Sequence, residues 1–165
     1  WLMTELEKKG IYACSLPMPG FDSPSCKKWV DEIMAHIEQD INDEIYLVGH
    51  SLGATSILRY LESETNGLKI AGSVLISTPI EKTNNRDLDN FFEPEFNFGS
   101  IKKNCKAFSV IHGDDDTYVS PVQAKKLSSA LKCPLTNIPN GGHLSGQEGW
   151  YTLSPCLDLL MRMMK

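Results

Sequence analysis

The pentapeptide Gly49-His50-Ser51-Leu52-Gly53 contains the residue types and the spacing that covalent catalysis by a serine requires. It follows a short apolar run, Ile45 to Val48, and it precedes a segment whose apolar residues recur at helical spacing. The apolar residues of that segment are Ile57, Leu58 and Leu61. The pattern predicts a strand, an abrupt turn and a helix.

A serine at such a turn is exposed above the end of its strand, and flanking glycines let the strained backbone pack closely. The first N–H groups and the positive dipole end of the following helix point to the same place. We therefore interpret Ser51 as a candidate nucleophile. We expect the backbone N–H of Leu52 to be one donor to the negative oxygen that the reaction creates on a substrate.

A serine nucleophile needs a histidine as its base, and four histidines compete for this role: His36, His50, His112 and His143. His36 lies within a predicted helix and His112 at a strand end, where packing or solvation explains them. His50 immediately precedes the serine and is expected to point away from it. His143 follows the last predicted strand in a Gly-Gly turn, so it is the candidate base.

The histidine in turn needs a carboxylate, and the turn after the fourth predicted strand offers Asp114, Asp115 and Asp116. Asp116 is best placed, because Gly113 can make the turn and Val119 can anchor its exit. Asp115 is the alternative, and Asp114 is expected to be solvated. A solvated acidic turn without a catalytic role is the competing interpretation of all three.

The order Ser51, Asp116, His143 is the one expected of an α/β-hydrolase, and each residue follows a different predicted strand. Carboxyl ends of parallel strands meet at one edge of a sheet, where ligands bind in open α/β folds. The sequence therefore predicts that the three side chains lie close together.

Strands and helices alternate along the chain, which predicts an α/β fold with a mostly parallel open sheet and helices on both faces. The predicted strands are Ile11 to Leu16, Ile45 to Val48, Ile70 to Ser77, Ala107 to His112 and Leu135 to Ile138. The first predicted helix is Trp1 to Lys9, with Gly10 as its cap, and the second starts near Pro24 and reaches about Gln39. The third follows Ser51 and ends at Asn66-Gly67. The last two are Pro121 to Leu131, with Val122 on its apolar side, and Gly149 to Lys165.

An irregular segment from Pro79 to about Gly99 interrupts this alternation, with a short helix expected near Ser100 to Asn104. It contains four phenylalanines: Phe91, Phe92, Phe96 and Phe98. Two interpretations stay open for them. They either form a flap beside the site or cover the sheet.

Composition indicates one globular domain spanning residues 1–165, with 41% hydrophobic and 22% charged residues. A net charge of −5 argues against nucleic acid or an anionic membrane as the main partner, and no apolar run is long enough to cross a membrane. Five scattered cysteines without a Cys-x-x-Cys pair indicate reduced core thiols and a cytoplasmic protein.

Motifs along nearly the whole chain resemble the small, cap-less α/β-hydrolases related to retinoblastoma-binding protein nine and its bacterial relatives. Besides the pentapeptide, they are Leu16-Pro17-Met18-Pro19, Asp115-Asp116 with Val119, Gly141-Gly142-His143, and Glu148-Gly149-Trp150 opening the last helix. The resemblance implies a serine esterase acting on small esters through Ser51, Asp116 and His143. It also implies no metal or organic cofactor, and we expect a monomer.

Two features depart from that family's pattern. Nothing before Trp1 corresponds to its first strand, which would lie between the predicted strand Ile11 to Leu16 and the strand before Ser51. We therefore expect further residues upstream of Trp1, including the second oxyanion donor. The Leu-x-Cys-x-Glu pattern that recognises retinoblastoma proteins is also absent, so that partner is not expected. A non-catalytic protein- or ligand-binding module on a hydrolase scaffold is the alternative to an enzyme.

Overall fold

The computed structural model describes residues 1–20, 22–37, 44–63 and 67–165. Apolar residues at helical or strand spacing account for its elements. Its helices are α1 (Leu2–Glu7), α2 (Cys26–Ile37), α3 (Leu52–Glu62), α4 (Phe98–Asn104), α5 (Pro121–Leu131) and α6 (Ser154–Met163). Its strands are β1 (Tyr46–His50), β2 (Gly72–Ile76), β3 (Phe108–Gly113) and β4 (Leu135–Ile138). Short 3₁₀ helices cover Arg86–Phe91 and Gly146–Glu148.

The four strands form one parallel sheet in the order β1-β2-β3-β4. All residues of β2 and β3 are buried, as expected for strands with helices on both faces. The predicted α/β fold with a parallel sheet is therefore confirmed. Because the strands run the same way, the turns after β1, β3 and β4 meet at one edge.

Two apolar clusters cover the two faces of the sheet. On one face, Leu75 and Val110 pack with buried residues of α2, α3 and α5, such as Leu58 and Leu127. On the other face, side chains of the sheet pack with α1 and α6. These residues are Val74, Ile76, Ile111, Leu6, Cys156 and Leu160. The helices thus hold the sheet rigid beneath the turns at its carboxyl edge.

In the irregular segment after β2, Phe91 and Phe92 pack against helices, whereas Phe98 packs against the cluster that contains Leu75 and Val110 of the sheet. Phe91 and Phe92 join Cys26 and Trp29 in a third cluster, which Leu52 also contacts. Arg59 in α3 fastens the segment: its buried guanidinium donates to the carbonyl oxygens of residues 91 and 94 at 3.0 and 2.5 Å. The interpretation that Phe91 and Phe92 cover the sheet is therefore wrong. They belong to a cluster that contacts Leu52, the residue after Ser51.

The predicted strand Ile11 to Leu16 is wrong, because these residues are neither strand nor helix. Their side chains do alternate, with Ile11 and Ala13 partly buried and Tyr12 83% exposed. A strand also needs a neighbour for its N–H and C=O groups. Within the described residues, the sheet contains β1 to β4, and none of these strands pairs with Ile11 to Leu16.

The last helix begins at Ser154 rather than at Gly149, so Glu148-Gly149-Trp150 does not open it. Gly149 adopts a left-handed conformation (φ 86°), and the chain then enters α6 with a proline in its first turn. Glu148 instead ends a 3₁₀ turn.

Smaller differences concern single positions. α2 starts at Cys26 rather than near Pro24, and Val122 of α5 is 55% exposed rather than on the buried side, which Ala124 occupies. The predicted helix end at Gln39 and the predicted stop at Asn66 lie outside the described residues.

All five cysteines are free thiols. Cys26, Cys105 and Cys156 are buried, whereas Cys133 is partly buried and Cys14 is exposed, so the prediction of core thiols is wrong for Cys14. In the described ranges, no helix combines the length and the apolar character that a membrane span needs.

Candidate active site

Ser51 lies at the tight turn between β1 and α3. Its backbone has φ 53° and ψ −128°, a combination that is uncommon for residues other than glycine and that marks a strained position. The N–H of Ser51 donates to the carbonyl of Ile76 at 2.9 Å, which extends the sheet ladder to the serine itself. The end of β2 thus supports the strained turn, and Ser51 remains partly exposed.

The two glycines of the pentapeptide have different roles. A Cβ atom on Gly49 would lie 2.6 Å from the Cα of Ala54, so only glycine lets β1 and α3 approach this closely. A Cβ atom on Gly53 would meet nothing within 4 Å. Close packing therefore explains Gly49, whereas no close contact requires a glycine at position 53.

The turn after β3 and the loop after β4 place an acid and a base next to this serine. Nε2 of His143 lies 3.0 Å from Oγ of Ser51, and Nδ1 of His143 lies 2.8 Å from Oδ2 of Asp116. His143 thus lies within hydrogen-bond distance of both Ser51 and Asp116, in the order that proton transfer requires.

The carboxylate of Asp116 is buried and held at both oxygens. Oδ1 accepts hydrogen bonds from the backbone N–H groups of Tyr118 and Val119 at 2.8 and 2.9 Å. Oδ2 lies against His143, with Nε2 of the buried His112 at 3.5 Å on its other side. Because Nε2 of His112 also lies 2.9 Å from the carbonyl of Val119, the tautomer that carries its proton on Nε2 suits this position.

Asp114 and Asp115 do not contact the imidazole of His143. Oδ1 of Asp114 accepts from the N–H of Asn140 at 2.8 Å, and Oδ1 of Asp115 accepts from the N–H of Gly142 at 2.8 Å. Asp114 is exposed, as expected, and it also binds the main chain of a neighbouring loop. Both side chains bind the backbone of the loop that carries His143.

Two further residues contact that loop and were missed from the sequence. Nε2 of His50 lies 2.7 Å from the carbonyl oxygen of His143, a contact that its expected direction away from Ser51 did not indicate. Glu148 accepts from the N–H of His143 at 3.0 Å. Ser145-x-x-Glu148 has the spacing of a capping box, and that signal could have indicated that Glu148 folds back onto the loop.

The other histidine, His36, lies on α2 and is exposed, as predicted. Its Nδ1 is 2.9 Å from the carbonyl oxygen of Glu32 within the same helix. It is not part of the site.

The parallel sheet, the strained serine after β1 and the order of the chemical groups along the chain together define an α/β-hydrolase fold. The comparison of sequences agrees: the chain belongs to the Serine hydrolase family, which it matches over residues 4–162.

Among its relatives is YdeN of Bacillus subtilis strain 168, which is 30% identical over 161 residues, or 97% of this chain and 84% of YdeN. The crystal structure of the ydeN gene product superposes with a TM-score of 0.92 at 29% identity, covering 99% of this chain and 88% of the other.

More distant structures share the fold. Est1E of Butyrivibrio proteoclasticus with ferulic acid bound has a TM-score of 0.72 at 17% identity over 99% of this chain and 80% of its own. The monoacylglycerol lipase of Paleococcus ferrophilus has a TM-score of 0.67 at 19% identity over 98% of this chain and 88% of its own.

Proposed function

We propose that this serine hydrolase cleaves small carboxylic esters through an acyl-enzyme intermediate, with Ser51 as nucleophile, His143 as general base and Asp116 as the acid that orients it. The continuous contact from Ser51 Oγ to His143 Nε2 and from His143 Nδ1 to Asp116 Oδ2, at 3.0 and 2.8 Å, carries the proposal. Hydroxyl, imidazole and carboxylate at these distances are the groups that acyl transfer by a serine requires.

The first half of the reaction forms the acyl-enzyme. The carboxylate of Asp116 accepts the Nδ1–H of His143, so the lone pair on Nε2 faces the hydroxyl of Ser51. As Oγ attacks the ester carbonyl, Nε2 takes the hydroxyl proton. When the tetrahedral intermediate collapses, the C–O bond to the alcohol breaks and the alcohol leaves with that proton.

The second half returns the serine. His143 takes a proton from water as the water attacks the acyl-enzyme, and it then returns that proton to Oγ of Ser51 as the acid is released. Asp116 stays ionised throughout and stabilises the imidazolium form of His143 in both halves.

The negative oxygen of the tetrahedral intermediate needs hydrogen-bond donors. Leu52 is the first residue of α3, and the first N–H groups of a helix have no partner within the helix. We propose the N–H of Leu52 as one donor, aided by the dipole of α3.

Two observations favour esters as the substrate class. In the part of the chain that the structure describes, Ser51 is partly exposed, and the segment between β2 and α4 packs against the next residue, Leu52, without forming a separate domain. Among proteins of the same fold, one is a monoacylglycerol lipase and another was crystallised with ferulic acid, a carboxylic acid. We also propose a cytoplasmic monomer, which five free thiols and a net charge of −5 favour.

Hydrolysis of p-nitrophenyl acetate tests the proposal. We expect a burst of p-nitrophenol equal to the enzyme concentration whenever deacylation is the slower half, followed by steady turnover. Ser51→Ala should abolish both, whereas Ser129→Ala on the exposed side of α5 should change neither. Turnover that persists in Ser51→Ala would exclude Ser51 as nucleophile, and an inactive wild type would favour the non-catalytic module.

A further inference from the structure

The loop between β4 and α6 that carries His143 has a backbone of unusual geometry. Asn140, Gly142 and Leu144 all have positive φ angles, of 51°, 54° and 53°. Positive φ strains residues that have a Cβ atom, and such strain persists only where surrounding contacts fix the backbone. The contacts that do so here come from side chains of the turn after β3, of the end of β1 and of the 3₁₀ helix before α6.

The first part of the loop is fixed against the turn after β3. Asp114 and Asp115 accept from the N–H groups of Asn140 and Gly142, as described above. A Cβ atom on Gly113 would lie 2.1 Å from the carbonyl oxygen of Gly142, so the two backbones are in direct contact. These contacts end one residue before His143.

The main chain of His143 itself is bound from two sides. Its N–H donates to Oε1 of Glu148 at 3.0 Å, and its carbonyl oxygen lies 2.7 Å from Nε2 of His50. Leu144, the next residue, is buried in the cluster between the sheet and α6. The side chain of His50 at the end of β1 and that of Glu148 in the 3₁₀ helix before α6 thus fix the two peptide groups on either side of the His143 Cα atom.

His50 is suited to act as a donor. Its ring contacts the ring of His143 edge-on, with centroids 4.9 Å apart and planes at 62°. Desolvation by the surrounding protein lowers the pKa of His50 below its ordinary value, so the neutral imidazole prevails at neutral pH. A neutral ring with its proton on Nε2 donates to the carbonyl oxygen of His143 and adds no positive charge beside the base.

Glu148 is suited to act as an acceptor. Besides the N–H of His143, its carboxylate accepts from the N–H and the hydroxyl of Ser145 at 3.1 and 2.9 Å. The hydrogen bond from the N–H of His143, followed by those from Ser145, lowers the pKa of Glu148, so the carboxylate is ionised at neutral pH. A Cβ atom on Gly142 would lie 2.5 Å from Oε1, which shows how closely this carboxylate fits the loop.

We propose that His50 and Glu148 are positioning residues that hold the main chain of His143, so that its imidazole reaches Ser51 and Asp116 at the same time. This inference rests on the proposed role of His143 as general base. Neither residue touches the reacting atoms. Their contribution is to the geometry of proton transfer, where a displacement of about 1 Å costs on the order of 100-fold in rate.

Paired variants of each residue separate the hydrogen bond from the bulk of the side chain. His50→Phe keeps a ring against His143 and removes the donor, whereas His50→Gln keeps an N–H donor. Glu148→Ala removes the acceptor, whereas Glu148→Gln keeps one acceptor oxygen. We expect His50→Phe and Glu148→Ala to lower kcat for p-nitrophenyl acetate by at least about 10-fold with KM within about twofold, and each Gln variant to recover much of that loss.

Matched controls come from similar contacts that do not involve the loop of His143. His36→Phe removes an exposed histidine that contacts a carbonyl oxygen, and Glu81→Ala removes a half-exposed acid paired with Lys126 at 2.6 Å. Both should retain wild-type kcat. Unchanged kcat in His50→Phe and Glu148→Ala would overturn the proposal. So would a loss of kcat that is equally large in the Gln variants, or a change in KM as large as the change in kcat.

Amide hydrogen exchange tests the positioning without relying on activity. In Glu148→Ala, peptides covering residues 139–149 should exchange faster while those from α3 and α5 stay as in the wild type. Unchanged exchange in the loop, or equally faster exchange in the whole protein, would overturn the role of Glu148. If the wild type lacks esterase activity, the proposed function is refuted. If Glu148→Ala still shows the loop-specific increase in exchange, the hydrogen bond from the His143 main chain to Glu148 remains supported.

Discussion

Three successive aspartates follow β3, yet only one of them is buried. Asp116 is 5% exposed and has three hydrogen-bond partners: two backbone N–H groups and the imidazole of His143. The carboxylates of Asp114 and Asp115 lie in exposed contacts with loop backbone. Adjacent aspartates therefore have different roles, because only the carboxylate of Asp116 contacts the imidazole of His143.

Asp116→Asn should lower ester turnover on the order of 10³- to 10⁴-fold, because an amide can donate to Nδ1 of His143 and so favour the tautomer with its proton on the wrong nitrogen. Steady-state hydrolysis of p-nitrophenyl acetate measures the effect. The melting temperature of the variant shows whether it is folded.

Asp115→Asn serves as the comparison for Asp116→Asn. Its amide oxygen can still accept from the N–H of Gly142, so we expect a loss of less than about 10-fold. Equal or greater loss in Asp115→Asn than in Asp116→Asn would contradict the assignment of the acid.

Residue types and their position after a strand were sufficient to select Ser51, Asp116 and His143, and the structure brings these three together. They were not sufficient for His50 and Glu148. Strand alternation places His50 on the face opposite its neighbours, but the turn after β1 changes the direction of the chain. No periodicity governs side-chain directions in the loop between β4 and α6, so its contacts with Asp114, Asp115 and Glu148 had to be observed.

At the scale of elements, the contact between β1 and α3 determines where Ser51 is presented. Gly49→Ala should lower the free energy of unfolding by about 1–3 kcal/mol, because its Cβ would lie 2.6 Å from the Cα of Ala54 and 2.8 Å from Cδ1 of Ile57. Thermal unfolding followed by circular dichroism should show a melting temperature several degrees lower.

Gly53→Ala is the matched control, because its Cβ would meet no atom within 4 Å and alanine favours a helix. We expect an unchanged or slightly higher melting temperature. A larger loss of stability in Gly53→Ala than in Gly49→Ala would show that the turn is packed differently.

Elements with both a strong apolar pattern and a clear start signal were predictable, such as α5 at Pro121–Leu131 and β4 at Leu135–Ile138. Ile11 to Leu16 has the pattern of a strand, yet strand formation depends on a partner that local sequence does not specify. The start of α6 was predicted too early because Gly149 and Trp150 belong to a turn that reaches back to Ser145.

At the scale of the whole molecule, the five thiols differ in burial and therefore in their expected reactivity. Burial raises the pKa of Cys105 and Cys133 to about 11 and that of Cys156 to about 12, and it also raises the pKa of Cys26. These four thiols are protonated near pH 8 and thus poor nucleophiles.

Titration with Ellman's reagent at pH 8 should therefore find one fast thiol, Cys14, in the native protein and five in denaturant. Cys14→Ser should remove the fast reaction. Several fast thiols in the native wild type would contradict the described burial of Cys26, Cys105, Cys133 and Cys156.

The central claim about the carboxyl edge of the sheet is that His143 activates Ser51. Reaction with a fluorophosphonate, followed by peptide mass spectrometry, tests this directly. We predict a single adduct on Ser51 that is absent in Ser51→Ala and forms far more slowly in His143→Gln. An adduct on another residue, or an intact wild type that forms none, would contradict the account.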